Sequence, residues 1–221
     1  MTDIWATVFL TLKVAVTGVV VTLPIALCLA YVLARKKLPG KALLSGVIML
    51  PMVLPPVVTG LLLLDLFGPK GPLGIAFAAI GIEFGFRWTG AALAAGLVAL
   101  PLMVRPMRLA FESVDMEWHE AMKVDGASWQ QRLRYLDLPM AGAGIVAGIV
   151  LGFAKALGEF GATITFVANI PGETRTLSLA IFTALQSIDG MTEVYILAGA
   201  SIALSLIAVF FSEVITERLY K

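Results

Sequence analysis

Lys155 and Glu159 stand four residues apart in an otherwise apolar stretch of this 221-residue sequence. At helical spacing they share one face. Ionisable groups inside a membrane helix are costly, so they are paired or turned towards water. Two readings stay open: Lys155 draws an anion along a polar pathway with Glu159 tethering the lysine between visits, or the two are an ion pair that fastens this helix to a neighbour. Thr163 and Thr165 follow and offer hydroxyls, although helical threonines often bond their own backbone instead. Arg175 lies further on, placed to meet a docking partner or a second copy of the chain.

A second cluster lies upstream. The 26 residues Glu112–Asp137 hold nine charges: Glu112, Asp115, Glu117, Glu120, Lys123, Asp125, Arg132, Arg134 and Asp137. Residues Met116–Met122 suit a short helix, Gly126 stops it, Ser128 is placed to cap a second, and Pro139 ends the segment. Trp118, Met122 and Trp129 are apolar knobs among the charges. Such a surface suits a partner's groove; equally, its aromatics suit a lipid interface. His119 reads as a solvated loop histidine. Being the sole histidine, it excludes a His-Glu-x-x-His metal site and a histidine triad. Cys28 is also alone, which excludes a disulfide and a cysteine metal cluster and reads as a buried, inert thiol. No phosphate-binding Gly-x-x-x-x-Gly-Lys-Ser/Thr loop is present. No metal site, cofactor or catalytic residue is expected in this chain.

The elements that must hold these residues are membrane helices. The chain is 59% hydrophobic and 14% charged, against about 45–50% and about 25% in soluble domains. That excludes a disordered, nucleic-acid-binding or ordinary cytosolic protein; lipid must solvate it. Five charge-free runs approach the roughly 20 residues that cross the hydrocarbon: Val14–Ala34, Ala42–Leu64, Trp88–Val104, Leu138–Ala154 and Val194–Ser212. They predict spans at about 14–34, 42–64, 88–108, 138–160 and 194–214. Gly71–Ile82 and Thr176–Ile188 are shorter and read as interfacial or re-entrant, with a sixth span at 71–82 as the alternative. The start Met1-Thr2-Asp3 has no basic leader, so the first run reads as a retained span. Pro51, Pro55 and Pro56 are expected to interrupt the second span, and Pro101 and Pro106 the third.

With the amino terminus outside, the inside segments carry eleven basic residues: Arg35, Lys36, Lys37, Lys41, Arg105, Arg108, Lys123, Arg132, Arg134, Arg218 and Lys221. The outside segments carry three, Lys70, Arg87 and Arg175. This bias predicts the amino terminus outside and the carboxyl terminus inside. From Pro139, a rise of about 1.5 Å per residue puts Lys155 roughly 24 Å into the bilayer, in its outer half.

Two stretches carry a family resemblance. Glu120-Ala121-Met122, Gly126 and Leu138-Pro139 resemble the EAA loop of importer-type ABC permeases. Met122 replaces its second alanine, and Leu136 its usual isoleucine. The stretch Gly158-Glu159-Phe160-Gly161-Ala162-Thr163-Ile164-Thr165-Phe166-Val167, followed by Asn169-Ile170-Pro171-Gly172-Glu173-Thr174-Arg175-Thr176-Leu177, is similar to molybdate permeases. Leu50–Val58 and Leu100–Arg105 are similar to the same family.

The resemblance implies an all-α membrane helix bundle of the type I ABC importer permease kind, one domain over residues 1–221, with 112–137 as a cytoplasmic coupling loop. It implies a homodimer in the bacterial inner membrane, two ATP-binding subunits that use ATP and magnesium, and a periplasmic molybdate-binding protein. Glu120, Ala121, Met122, Gly126, Leu138 and Pro139 would then couple to the ATPase. Lys155, Glu159, Thr163, Thr165 and Arg175 become candidates for the pathway or its gate. Sulfate and tungstate permeases are the alternatives within this class. A self-contained secondary anion carrier is the alternative outside it, but the sequence shows no internal repeat.

Overall fold

The structure, a computed structural model, describes residues 4–36 and 38–219; in the last helix the side chains of 211–213 and 215–219 lie outside that description. Met1-Thr2-Asp3, Lys37, Lys221 and the side chain of Arg218, all used in the topology argument, therefore lie outside the described residues. Every regular element among those described is helical.

Three helices are long and apolar enough to cross a bilayer alone: α1 (Ile4–Arg35), α5 (Trp88–Ser113) and α12 (Met191–Leu219). With each of two bent pairs taken as one span the total reaches five, the number expected. The first helix begins ten residues before position 14, so it carries Lys13 within it. The Lys13 ammonium stands 3.5 Å from the centroid of the Trp88 ring, and this cation–π contact accommodates the charge without ending the helix.

The second span breaks. Helix α2 (Lys41–Val53) meets α3 (Pro56–Phe67) at a bend of 109°. Leu54 is extended, at ψ 144°, as a residue before proline must be. Pro56 then opens α3 in the first turn, where its missing N–H costs nothing. Pro51 sits inside α2 without breaking it. Nor do Pro101 and Pro106 interrupt α5, which is one helix of 26 residues. Ala91, Ala92, Ala94, Ala95 and Ala99 are buried on its packed faces. That close packing against α1 and α9 outweighs the ladder bonds that the prolines remove, a loss of about 3 kcal/mol each.

The predicted span at 138–160 is also not one helix. After α4 (Pro72–Ala78) and α6 (Met116–Val124) come α7 (Trp129–Arg132), a π-helical turn Leu133–Asp137, and α8 (Leu138–Met140). The chain then bends by 68° into α9 (Gly142–Leu157). Helix α9 stops before Gly158, and a new short helix, α10 (Gly161–Val167), follows. The seven residues of α4 rise about 10 Å, too little for a sixth span. Helix α11 (Leu177–Leu185), of nine residues, is likewise too short.

The core forms where α1, α5 and α9 cross. A Cβ on Gly18 would stand 2.7 Å from the Ala92 carbonyl oxygen, so glycine there lets the backbones of α1 and α5 touch. Cys28 is exposed on α1, not buried. The buried positions Ala26, Ala30 and Leu33 follow the other face of the same helix.

Candidate partner-docking loop and pathway segment

Local sequence builds α6 as a closed unit. The Asp115 carboxylate accepts the Glu117 N–H at 3.0 Å and caps the start. Gly126, at φ 80°, ends it: the Gly126 N–H donates to Lys123 and the Ala127 N–H to Met122, the paired bonds of a glycine-terminated helix. Ser128 then caps α7, and Gln131 returns the bond to the Ser128 N–H. Glu120 is exposed and accepts from Lys123 Nζ at 2.6 Å. That hydrogen bond, with the lysine's charge, holds the Glu120 carboxyl below the usual glutamate range. Trp118, Ala121 and Val124 recur at three-residue spacing and are all exposed, giving α6 an apolar outer stripe. Met122 is half-buried. Leu138 lines the same cavity as Met116, His119 and Lys123, which neighbour the Glu120–Gly126 half of the pattern in sequence; Pro139 is exposed.

His119 overturns its sequence reading. It is 6% exposed, and its Nε2 lies 3.0 Å from Asp137 Oδ1. Asp137 is wholly buried and also accepts from Arg35, from Nη2 at 2.8 Å and Nε at 3.2 Å. Arg35 Nη2 donates on to the Val114 carbonyl at 3.2 Å. One buried carboxylate thus ties the end of α1, the loop before α6, the inner face of α6 and the π-helical turn. Sequence reasoning counted Arg35 for topology and Asp137 as loop charge, and missed the bond between them, 102 residues apart. No local pattern in the loop marked it, because the partner Arg35 lies 102 residues away.

The second candidate group lies where α9 gives way to α10. Lys155 Nζ donates to Glu159 Oε2 at 3.0 Å. Glu159, with 3% of its side chain exposed, uses its other oxygen to accept the Ala162 N–H at 3.0 Å. That N–H is one of the free donors of the first turn of α10. The carboxylate therefore braces the break itself rather than reaching a separate long helix. Thr165 Oγ1 donates to the Gly161 carbonyl at 2.9 Å, the self-bonding alternative weighed for it, and Thr163 is buried. From Gly142 to Lys155 is about 20 Å along α9.

Arg175 is not brought to that group. Its Nε donates to Asn169 Oδ1 at 2.9 Å, and Asn169 Nδ2 donates to Thr183 at 2.7 Å. It lines a separate cavity of about 520 Å³ with Thr7 of α1 and Thr183 of α11. The segment around it is a compact knot. Buried Thr174 accepts the Ile170 N–H and donates to the Ala168 carbonyl. Glu173 accepts the Trp88 N–H at the start of α5. The Leu177 N–H reaches Thr11 on α1. Most of the 169–177 pattern is thus used to hold loop, α1 and α5 together.

Among the described residues the chain is a bent, all-helical bundle with a charged, self-capped helix at its basic end, and it shares the type I ABC importer permease fold. The same architecture occurs in a bacterial ABC transporter involved in the import of the acidic polysaccharide alginate, at a TM-score of 0.75 and 17% identity, over 100% of this chain and 82% of that one. The family described as "binding-protein-dependent transport system inner membrane component" matches residues 9–220, and the chain belongs to that family. It is a multi-pass inner-membrane transport subunit. It is 45% identical over 213 residues to the molybdenum transport system permease protein ModB of Haemophilus influenzae, across 96% of this chain and 93% of that protein. It is 34% identical over 192 residues to the sulfate transport system permease protein CysT of Salmonella typhimurium, across 87% and 69%.

Proposed function

We propose that this chain is the membrane-spanning subunit of an ATP-driven importer that carries molybdate from periplasm to cytoplasm by alternating access. The observation that carries the cargo is the gap between 45% identity to a molybdenum permease across nearly both whole chains and 34% to a sulfate permease across 69% of that protein. In this reading two copies form a homodimer with the pathway along its axis. The amino terminus is periplasmic and the carboxyl terminus cytoplasmic, as the basic residues favour. Two ATP-binding subunits grip α6 through Glu120, Ala121, Met122 and Gly126, and rest against Leu138 and Pro139. ATP and magnesium belong to those partners. A periplasmic molybdate-binding protein delivers the dianion at the Arg175 end. Closure of the ATPase pair pulls α6, and the Asp137 bonds carry that movement into α1 and the bent entry to α9, so the bundle rocks as rigid bodies. Lys155, Glu159, Thr163 and Thr165 hold and line the break in the pathway wall, where binding must stay weak for release to be fast.

Reconstitution of the chain with its ATPase and binding protein in proteoliposomes tests this. The expected result is ATP-dependent molybdate uptake that tungstate inhibits and a large excess of sulfate leaves unchanged. Equal inhibition by sulfate would overturn the cargo. Uptake without the ATPase would overturn the class and identify a secondary carrier.

A further inference from the structure

At the basic end, a groove of about 860 Å³ opens between α1 and the loop helices. Its α1 wall is one helical stripe, on which Leu27, Cys28, Tyr31 and Val32 give way to Arg35 and Lys36. The facing wall brings Phe111 and Leu133 below, and Lys123 and Arg132 at the mouth. The groove is thus apolar along its length and cationic at one end. From Pro24, the first α1 residue that lines it, to Lys36 is about 18 Å, close to the depth of one leaflet of a bilayer about 30 Å thick. The charges at the mouth are incompletely balanced. Arg35 is matched by Asp137, and Lys123 by Glu120. Lys36 has no ion-pair partner among the described residues; Arg132 donates to the Ala127 carbonyl, and its charge also acts on Glu120, which Lys123 already matches. His119, facing the same mouth, is engaged with Asp137.

We propose that this groove is a binding site for one anionic phospholipid. The phosphate lies between Lys36 and Arg132, and an acyl chain follows the Leu27–Val32 stripe. Basic pockets flanking membrane helices select anionic headgroups in this way. A free phosphate has no use for the apolar stripe, and a zwitterionic lipid would not relieve the excess positive charge. The site depends on the topology proposed above only for which leaflet it faces, and not on the cargo. Its physical consequence is a lipid wedged between α1 and the docking loop, where it would stiffen the bundle's basic end.

Cys28 is the chain's sole cysteine, and it is exposed within the stripe, so it reports occupancy directly. The full-length chain in detergent is titrated with dioleoyl phosphatidylglycerol, with phosphatidylcholine of the same acyl chains, or with inorganic phosphate. Maleimide labelling of Cys28 is timed, and bound lipid is counted by native mass spectrometry. Phosphatidylglycerol is expected to bind once per chain and to slow labelling saturably, while phosphatidylcholine and phosphate do neither. Lys36→Gln and Arg132→Gln should each weaken that binding about fivefold, and together about thirtyfold. Val32→Trp, which keeps every charge but fills the stripe, should abolish the bound lipid. Equal protection by phosphatidylcholine, protection by phosphate alone, or undiminished binding to the double glutamine variant would overturn the proposal. Loss of molybdate specificity would leave it untouched, so the two readings fail separately.

Discussion

At the scale of single residues, Ala168 carries the clearest strain. Its backbone, at φ 62° and ψ −164°, occupies a region that only glycine enters freely. The chain is forced there because Thr174 bonds the Ala168 carbonyl and the Ile170 N–H at once. Ala168→Gly should therefore raise stability by about 1 kcal/mol, after allowing for the greater freedom glycine has when unfolded; a higher unfolding midpoint in detergent would show it, and an unchanged or lower one would argue against strain. Lys155 makes the opposite case. Lys155→Met leaves the Glu159 carboxylate buried with one backbone bond. The lysine is over a third exposed, so the expected loss is about 2 kcal/mol, below the range for fully buried pairs. Adding Glu159→Gln should restore most of the unfolding midpoint and leave transport intact if the pair is a brace. A restored double variant that no longer takes up molybdate would make Lys155 a pathway charge instead.

At the scale of elements, the self-capped α6 invites a direct test. Gly126 holds φ 80°, a conformation that costs a side-chain-bearing residue roughly 1–2 kcal/mol. Gly126→Asp should unwind the end of α6, and Glu120→Lys should place two like charges where a salt bridge stands. Both variants should insert in the membrane normally yet capture less ATPase from detergent extracts; capture at full strength would remove α6 as the docking helix. These elements were legible because their signals are local. A capping serine, a left-handed glycine and a short apolar period all act within about four residues, and the α6 and α7 boundaries followed from them. The long spans were legible for a similar reason, since lipid demands an apolar run. The bends were only half legible. Pro55-Pro56 broke its helix because the preceding residue must extend, whereas Pro101 and Pro106 did not, because packing of α5 against α1 and α9 supplies what the prolines remove. The break at Gly158–Phe160 had no proline to announce it; it depends on Glu159 capturing a backbone donor three residues on. Buried Asp137 and His119 were illegible, because their environment is made by Arg35, a residue more than a hundred positions from Asp137.

At the scale of the whole molecule, the proposed function requires a push on one small helix, α6, to become a movement of the bundle. Among the described bonds, the Asp137 cluster is the one that joins α6 to α1 and to the turn leading into α9 through charged groups. Charge-assisted bonds in a buried setting resist being pulled apart, because separation leaves an uncompensated charge out of water. Asp137→Asn keeps the size of the side chain but removes the charge that Arg35 answers. It should lower the unfolding midpoint by an amount equivalent to about 3 kcal/mol, with part of the loss recovered when Arg35→Gln is added. The exposed stripe of Trp118, Ala121 and Val124 lies on the side of α6 away from this carboxylate, so if α6 docks the ATPase, capture should persist. The decisive comparison is made in proteoliposomes at a temperature where the variant remains folded. ATP hydrolysis should continue while molybdate uptake per ATP falls, because α6 then moves without carrying α1 and α9. If hydrolysis and uptake fall together in proportion, Asp137 holds the loop's shape for docking and transmits nothing. If neither falls, the movement enters the bundle by another route, through the α7–α8 backbone alone.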